Sequence, residues 1–220
     1  MTKASNPRPD LAERAGYLIE AAARAPSVHN TQPWRFTVTG ETIELYADAS
    51  RQLMEDLAGR EMIISCGAAL FGLRLAIRSL GCQPEVDLFP EPGQRRLLAR
   101  VRAGRPAPMT SDERAMLQAA PHRHTHRDAF EPGPVPDGLV ERLRDDAEAE
   151  GATLQRILLR AASQWVFARL QSQPLQSASV RAQIHASLTP SGPPQLLLEL
   201  GVARTSCPTA RRPADELRSS

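Results

Sequence analysis

The first hundred residues alternate between apolar positions with helical spacing and apolar positions with strand spacing. Leucine, isoleucine and alanine recur every three or four residues over 9–25, which predicts an amphipathic helix that must end near Pro26. A polar loop follows, and residues 34–38 and 42–46 predict two strands joined by a turn at Gly40. The chain is therefore predicted to begin with a helix and a hairpin.

The same order is repeated in the next segment. Residues 60–80 are apolar on most sides of a predicted long helix, so this helix should lie buried in a core or an interface. Gly81 follows in the C-cap position, and residues 85–89 and 96–101 predict a second pair of strands. Helix, hairpin, helix and hairpin together predict an α+β fold.

The second half is predicted to be mostly helical. Thr110 and Glu113 form a capping-box pattern at the start of the first of these helices. Only Gly151 separates the second helix from the third. We expect the helices to cover 110–119, 136–150 and 154–170.

The remaining segments of the second half carry weaker patterns. No strand is predicted between Phe130 and Gln195, and residues 195–200 form a short apolar run. The tail after Gly201 is rich in proline and arginine and is predicted to be irregular.

Composition narrows the class of protein. With 220 residues, 41% hydrophobic and 24% charged, the chain has the composition of a globular protein with one core or two small ones. A net charge of +2 and only 4% aromatic residues give no reason to expect a nucleic-acid partner. Three distant cysteines without a CxxC pair argue against a disulfide framework or a zinc knuckle.

The chain carries no pattern of a targeting segment. Its first residues are polar and include acids, and Arg74 and Arg78 interrupt the most apolar stretch. We therefore predict a cytoplasmic protein without a membrane partner.

Residues 25–36 read Ala-Pro-Ser-Val-His-Asn-Thr-Gln-Pro-Trp-Arg-Phe. This text resembles the nitroreductase pattern of Ala-Pro-Ser, Asn, Gln-Pro-Trp and a strand, and its His-Asn version most resembles the Acg-like branch of FMN-binding oxidoreductases. Residues 123–130, followed by Pro-Val-Pro at 134–136, resemble the opening of a nitroreductase chain. Residues 195–201 with Arg211-Arg212-Pro213 resemble its closing segment.

The resemblance implies a nitroreductase-like fold of the fused-dimer type, with an antiparallel-containing sheet flanked by helices. The first unit would cover 1–105 and a truncated second unit 106–220. Members of this branch are longer. Here the segment that begins at Gly151 leads directly into a sequence that resembles a helix near the end of the family's second unit. An internal piece of the second unit is therefore predicted to be missing.

The resemblance also implies an FMN site composed of residues from both halves. In this superfamily, arginines of the opening and closing segments hold the phosphate, and guanidinium groups suit such an anion. The loop before Trp34 would contact the flavin ring, and His29 would either touch the ring or cap the loop. The predicted cofactor-binding residues are Ser27, His29, Asn30, Gln32, Arg123, Thr125, Arg127, Arg211 and Arg212.

Each candidate also has a plainer interpretation. The loop before Trp34 could be a strand entry with a core tryptophan, the arginines of 123–127 a solvated basic turn, and Arg211 with Arg212 a flexible basic tail. Histidines 122, 124 and 126 alternate, but the arginines between them and the lack of a carboxylate or cysteine partner argue against a metal site. No catalytic acid or base is assigned, because the cofactor would carry the redox chemistry.

Three functions follow from these patterns. The first is an FMN-dependent oxidoreductase that takes two electrons from NAD(P)H and passes them to a nitro or quinone-type small molecule. The second is a non-catalytic protein that binds and sequesters FMN. The third is a degenerate, internally deleted remnant. Ordinary nitroreductases are homodimers, so a homodimer that completes the site also remains open.

Overall fold

The structure, a computed structural model, describes residues 9–149, 154–171, 177–188, 197–203 and 209–219. Its helices are α1 (Ala15–Ala23), α2 (Arg60–Ser79), α3 (Ser111–Ala119), α4 (Leu139–Ala149), α5 (Leu154–Ala162), α6 (Ala178–Leu188) and α7 (Ala214–Leu217). Its strands are β1 (Trp34–Thr39), β2 (Thr42–Ala47), β3 (Cys82–Leu88), β4 (Leu97–Pro106), β5 (Val166–Gln171), β6 (Leu197–Val202) and β7 (Arg218–Ser219). The α+β prediction is confirmed.

The main sheet has five strands in the order β3-β4-β2-β1-β7. Both predicted hairpins are present: β1 pairs antiparallel with β2, and β3 pairs antiparallel with β4. Strands β2 and β4 are also antiparallel, so the two hairpins form one continuous sheet. Gly40, at the tip of the first hairpin, has φ +55°, a backbone conformation that glycine adopts without steric cost.

The main core lies between one face of this sheet and helices α1 and α2. Alternate residues of β1 and β2 point into it, as the two-residue period of a strand requires. The largest of these side chains are fully buried, and each contributes about 1.5–3 kcal/mol through removal of its apolar surface from water. They are Trp34, Phe36, Ile43 and Leu45 from the sheet, Leu18 and Ile19 from α1, and Leu73 and Ile77 from α2.

Helices α1 and α2 approach each other closely at Gly72. A methyl group added to Gly72 would lie 3.0 Å from the Ala21 carbonyl oxygen and 3.1 Å from the Ala22 Cα. Both neighbours are backbone atoms, so this glycine sets how closely the two helices pack.

Helix α2 also has the length and composition of a membrane span, with a mean hydropathy of 1.4. Arg74 and Arg78 therefore do not exclude a span by composition alone. However, 61% of that window is buried inside the protein, as expected for the central helix of a folded core.

The predicted helix over 154–170 is wrong in its second part. Helix α5 ends at Ala162, and the chain turns through Trp165, whose φ is +58°, into strand β5. Strand β5 pairs antiparallel with β6 along its whole length, so the prediction that no strand lies between Phe130 and Gln195 is also wrong. Apolar residues occur at nearly every second and third position of this segment, so its pattern fits the period of a helix and the period of a strand. The hydrogen bonds with β6 stabilise the strand.

The prediction of an irregular tail is wrong for the last described residues. One helical turn, α7, is followed by β7, which pairs in parallel with β1 at Phe36 and Thr37. Leu217 is fully buried in the main core. The end of the chain therefore joins the sheet formed by the first hundred residues.

The second half packs against α2 and against its own two-stranded sheet of β5 and β6. Leu159 of α5 joins Phe71 and Leu75 of α2 in one apolar cluster. Leu139 and Leu143 of α4 are buried in another, against α5 and β5. The missing internal piece and the boundary at residue 105 stay predictions, and Gly151 lies outside the described residues.

Candidate functional site

A cavity of about 230 Å³ lies where the loop after α1, the first turns of α2, the basic segment after α3 and the chain before α7 meet. Its lining combines apolar and polar side chains, and four of the polar ones are arginines. The cavity is lined by Pro26, Ser27, Val28, His29, Asn30, Arg60, Glu61, Ile64, Ser65, Arg123, Thr125, Arg127, Leu154, Leu170, Thr209 and Arg211.

The loop over 27–32 has an unusual backbone. His29, Asn30 and Gln32 have φ of +49°, +57° and +49°, a region that residues other than glycine rarely occupy. Each such residue costs about 1–3 kcal/mol and persists only where its surroundings hold it. One internal tie is the Gln32 backbone N–H, which donates to the Ser27 hydroxyl oxygen at 2.9 Å.

The same loop is tied to residues 209–212, which we call the tail segment. The Asn30 side-chain Nδ2 donates to the Ala210 carbonyl oxygen at 3.0 Å, and Arg211 Nη1 donates to Asn30 Oδ1 at 3.0 Å. The Arg212 backbone N–H donates to Gln32 Oε1 at 2.8 Å. Two regions 180 residues apart in the chain are thus joined beside the cavity.

Arg123 is the most unusual side chain at the cavity. It is only 4% exposed, and its Nε and Nη1 have no hydrogen-bond partner among the described residues, while Nη2 donates to the Arg24 carbonyl oxygen at 3.3 Å. Burial, together with the nearby charge of Arg211, lowers the pKa of Arg123 to about 9. A buried cation without a counter-charge is destabilising, so this environment favours an anion at these nitrogens.

Arg211 is in a similar situation. Its Nε is buried and has no partner in the part of the chain that the structure describes, and burial, followed by the nearby charge of Arg24, lowers its pKa. The described residues that line the cavity include four arginines and one carboxylate. The arginines are Arg60, Arg123, Arg127 and Arg211, and the carboxylate is that of Glu61. The cavity therefore has the electrostatic character of an anion site.

Seven of the nine predicted site residues line this cavity: Ser27, His29, Asn30, Arg123, Thr125, Arg127 and Arg211. Gln32 and Arg212 are outside this lining, and their role in cofactor binding stays a prediction. Gln32 is 5% exposed and its amide is engaged by the tail segment and by the Asn30 carbonyl oxygen. The Arg212 guanidinium pairs with Glu216 and with the Gln32 carbonyl oxygen.

Sequence reasoning missed the contribution of α2. Arg60 and Ile64, and Glu61 and Ser65, are i,i+4 pairs that place four cavity-lining side chains on one face of its first turns. Polar residues at this spacing at the start of an otherwise apolar helix are the signal that could have identified this face.

The alternating histidines pack as aromatic rings. His124 and His126 are buried, against Phe167 at 4.6 Å and Phe130 at 4.6 Å between ring centroids. The exposed His122 stacks on Trp165 at 5.6 Å. These contacts anchor the segment that carries Arg123 and Arg127 to strand β5.

A larger cavity of about 440 Å³ lies between α2, β3 and the start of α3. Its most buried cation, Arg78, is already paired with Glu113 and donates to the carbonyl oxygens of Ala107 and Pro108. These bonds satisfy the charge of Arg78, so this cavity lacks the unpaired cation that marks the smaller one.

Comparison with known proteins points to one family. Residues 7–68 match the Nitroreductase family. The provisionally named NAD(P)H nitroreductase Rv3131 of Mycobacterium tuberculosis is 39% identical over 147 residues, which are 66% of this chain and 42% of the relative. The protein acg of the same organism, with the same provisional name, is 34% identical over 133 residues, or 60% of this chain and 40% of the relative.

A third relative, the uncharacterized protein Rv3127 of the same organism, is 37% identical over 155 residues, or 65% of this chain and 45% of the relative. The chain thus spans less than half of the length of these relatives. The matched residues include the loop over 25–36, which forms one side of the cavity. Over these residues the chain is similar to the Nitroreductase family and to the two provisionally named nitroreductases.

Proposed function

We propose that this chain binds FMN at the cavity and acts as a nitroreductase-like oxidoreductase. The proposal places the phosphate of FMN at Arg123 and Arg211 and gives NAD(P)H the role of electron donor. A nitro or quinone-type small molecule would be the electron acceptor.

The observation that carries the proposal is that the guanidinium group of Arg123 is buried without an anionic partner among the described residues. Within the described ranges, two of its nitrogens and one of Arg211 are buried without partners, at a cavity whose described lining holds four arginines and one carboxylate. A phosphate dianion would supply the missing acceptors and offset the two like charges. The Thr125 hydroxyl and the exposed Arg127 line the same cavity and could add donors.

The remaining lining fits other parts of the cofactor. Ile64, Leu154 and Leu170 provide apolar surface, and the Ser27 hydroxyl, which accepts from Gln32, keeps its proton to donate. The enclosed volume of about 230 Å³ is below the range of about 300–1,000 Å³ for ligand pockets. We therefore expect the cavity to enclose the phosphate and the part of FMN next to it, and the rest of the molecule to extend beyond the cavity.

FMN, when bound, supplies the two-electron chemistry between NAD(P)H and the acceptor. The chain's own residues would bind and orient it. A fixed donor on the loop, the Ser27 hydroxyl, would stabilise negative charge that develops on the ring, since preorganised dipoles act strongly in a water-poor site.

The experiment combines two measurements on the purified chain. Its absorbance spectrum, and a titration of the stripped protein with FMN, test for binding. Anaerobic addition of NADH or NADPH should then bleach the flavin bands, and a nitro compound or quinone should restore them. A yellow protein that ignores both nicotinamides would support sequestration instead, and a protein that takes up no FMN would overturn the proposal.

A further inference from the structure

The amides of Asn30 and Gln32 are engaged with the tail segment. Both atoms of the Asn30 amide have partners there, at 3.0 Å each. Gln32 Oε1 accepts from the Arg212 backbone N–H at 2.8 Å, and Gln32 lies outside the cavity lining. These two amides therefore point to the tail segment, which carries Arg211.

Arg211 depends on these contacts for its position. Its Nη1 donates to Asn30 Oδ1 at 3.0 Å and to the carbonyl oxygens of Thr209 and Ala210 at 3.2 Å each. Its Nε is buried at the cavity and meets no hydrogen-bond partner from the residues that the structure describes. One end of the guanidinium group is thus held by the loop, and the other end remains for an anion.

The backbone of the loop supports the same conclusion. Asn30 and Gln32 are two of its three residues with left-handed φ, and each uses its side chain to hold the tail segment. Strained residues persist where surrounding contacts hold them. The contacts from these two side chains reach the backbone of Ala210 and Arg212, on either side of Arg211, and the Arg211 guanidinium itself.

We propose that Asn30 and Gln32 are positioning residues for Arg211, so that they act on the phosphate of FMN through Arg211. This inference rests on the proposed function, because it takes the anion at Arg123 and Arg211 to be that phosphate. It differs from the expectation that both amides contact the flavin ring. The two roles predict different effects of a substitution on the affinities for FMN and for a flavin without phosphate.

The test compares FMN with riboflavin, which has the same ring and no phosphate. Affinities are measured by flavin fluorescence for the wild type, Asn30→Ala, Arg211→Ala and the double variant. We expect N30A to weaken FMN by about tenfold, the scale of one hydrogen bond to a charged group, and riboflavin by less than about twofold. R211A should do the same.

The double variant gives the second readout. Because Asn30 acts through Arg211, N30A should have little further effect once Arg211 is removed, and the two losses should not add. Equal weakening of FMN and riboflavin by N30A would show a direct ring contact and overturn the inference. Additive losses, or an N30A variant with unchanged FMN affinity, would overturn it as well.

A measurement without flavin separates this inference from the proposed function. Inorganic phosphate should raise the thermal unfolding midpoint of the wild type, and this rise should be reduced in both N30A and R211A. A wild type that binds no flavin but shows this pattern would contradict the FMN proposal and support the positioning role. A rise that N30A leaves intact, or no rise in the wild type, would overturn the positioning role.

Discussion

Arg123 and Arg211 face one cavity, and the charge of Arg211 adds to burial in lowering the pKa of Arg123 to about 9. Two like charges held together in a buried place destabilise the folded chain unless a ligand compensates them. Stability and ligand binding should therefore respond in opposite directions when this pair is changed.

We expect Arg123→Met to stabilise the ligand-free chain while it abolishes anion binding. Removal of a buried cation with two unpartnered nitrogens relieves a desolvation penalty of about 1–3 kcal/mol, whereas the flexible methionine fills most of the volume. Denaturant unfolding with and without FMN or inorganic phosphate measures both effects.

Arg127→Met is the matched control, because Arg127 lines the same cavity but is exposed. Its ligand-free stability should stay within about 0.5 kcal/mol of the wild type, as is usual for surface positions. An R123M variant that is less stable without ligand, yet still binds phosphate, would contradict the idea of an unpaired anion-binding cation.

Gly72 tests the packing of α1 on α2. Gly72→Ala brings a methyl group to 3.0 Å from the Ala21 carbonyl oxygen, so the helices must move apart. We expect a loss of roughly 1–3 kcal/mol in the free energy of unfolding, as for other overpacked cores.

Gly67→Ala is the control in the same helix, since nothing lies within 4 Å of an added methyl group there. Its stability should rise by up to about 1 kcal/mol through helix propensity alone. Equal effects of the two substitutions on the urea midpoint would show that Gly72 has no special packing role.

A substitution at Gly201 of β6 tests its contact with Phe130, which follows the segment that carries Arg123 and Arg127. A methyl group there would collide with the ring of Phe130, which also stacks on His126 at 4.6 Å and lies under Arg169. We expect Gly201→Ala to cost roughly 1–3 kcal/mol.

The partner variant Phe130→Ala removes the collision. The double variant should therefore lose less stability than the sum of the two single losses, with a coupling of about 0.5–3 kcal/mol in chemical denaturation. Strict additivity would mean that the ring and Gly201 do not meet in solution.

The first half of the fold could be predicted because its patterns are local. The hairpins of β1–β2 and β3–β4, the long helix α2 and the capping box at Thr110 all follow from spacing within a few residues. The capping box is present, with Glu113 N–H donating to the Thr110 hydroxyl oxygen at 3.2 Å and Thr110 N–H donating to Glu113 at 2.7 Å.

The errors lie where distant pairing decides the structure. Strand β5 is set by its partner β6, some thirty residues later, and β7 by β1 at the other end of the chain. Neither partner can be identified from apolar spacing in one window, because a short apolar run fits a helix and a strand alike.

Only part of the cavity could be predicted from the sequence. The resemblance to nitroreductase sequence motifs identified the loop that carries Asn30 and the segment that carries Arg123. Both line one cavity. It could not show that the Gln32 amide would be taken up by Arg212, because that contact depends on the path of the tail segment. The polar residues in the first turns of α2, such as Ser65, were not predicted to line the site, because the helix was interpreted as part of the core.

Asp146 links three helices of the second half and should make their stability depend on pH. Its carboxylate accepts from Arg156 Nε at 2.8 Å and Arg160 Nε at 2.7 Å, and Arg160 also reaches Asp112 on α3 at 2.8 Å. Burial opposes ionisation, but the bonds from Arg160 and Arg156 hold the pKa of Asp146 below its usual value of 3.8. The unfolded chain therefore binds this proton more readily, and the stabilisation, present above pH 3.8, is lost as pH falls below it.

Asp146→Asn should remove this contribution at neutral pH. The buried arginine bonds would face a neutral amide, and we expect a loss of about 1–3 kcal/mol at pH 7 that shrinks toward acid, because the wild type loses the same interaction there. Asp112→Asn is the control: Asp112 is 64% exposed, so its pair with Arg160 should contribute less than about 1 kcal/mol. Urea unfolding of the three proteins between pH 3 and pH 7 measures the difference, and parallel pH profiles for wild type and D146N would show that another carboxylate carries the acid sensitivity.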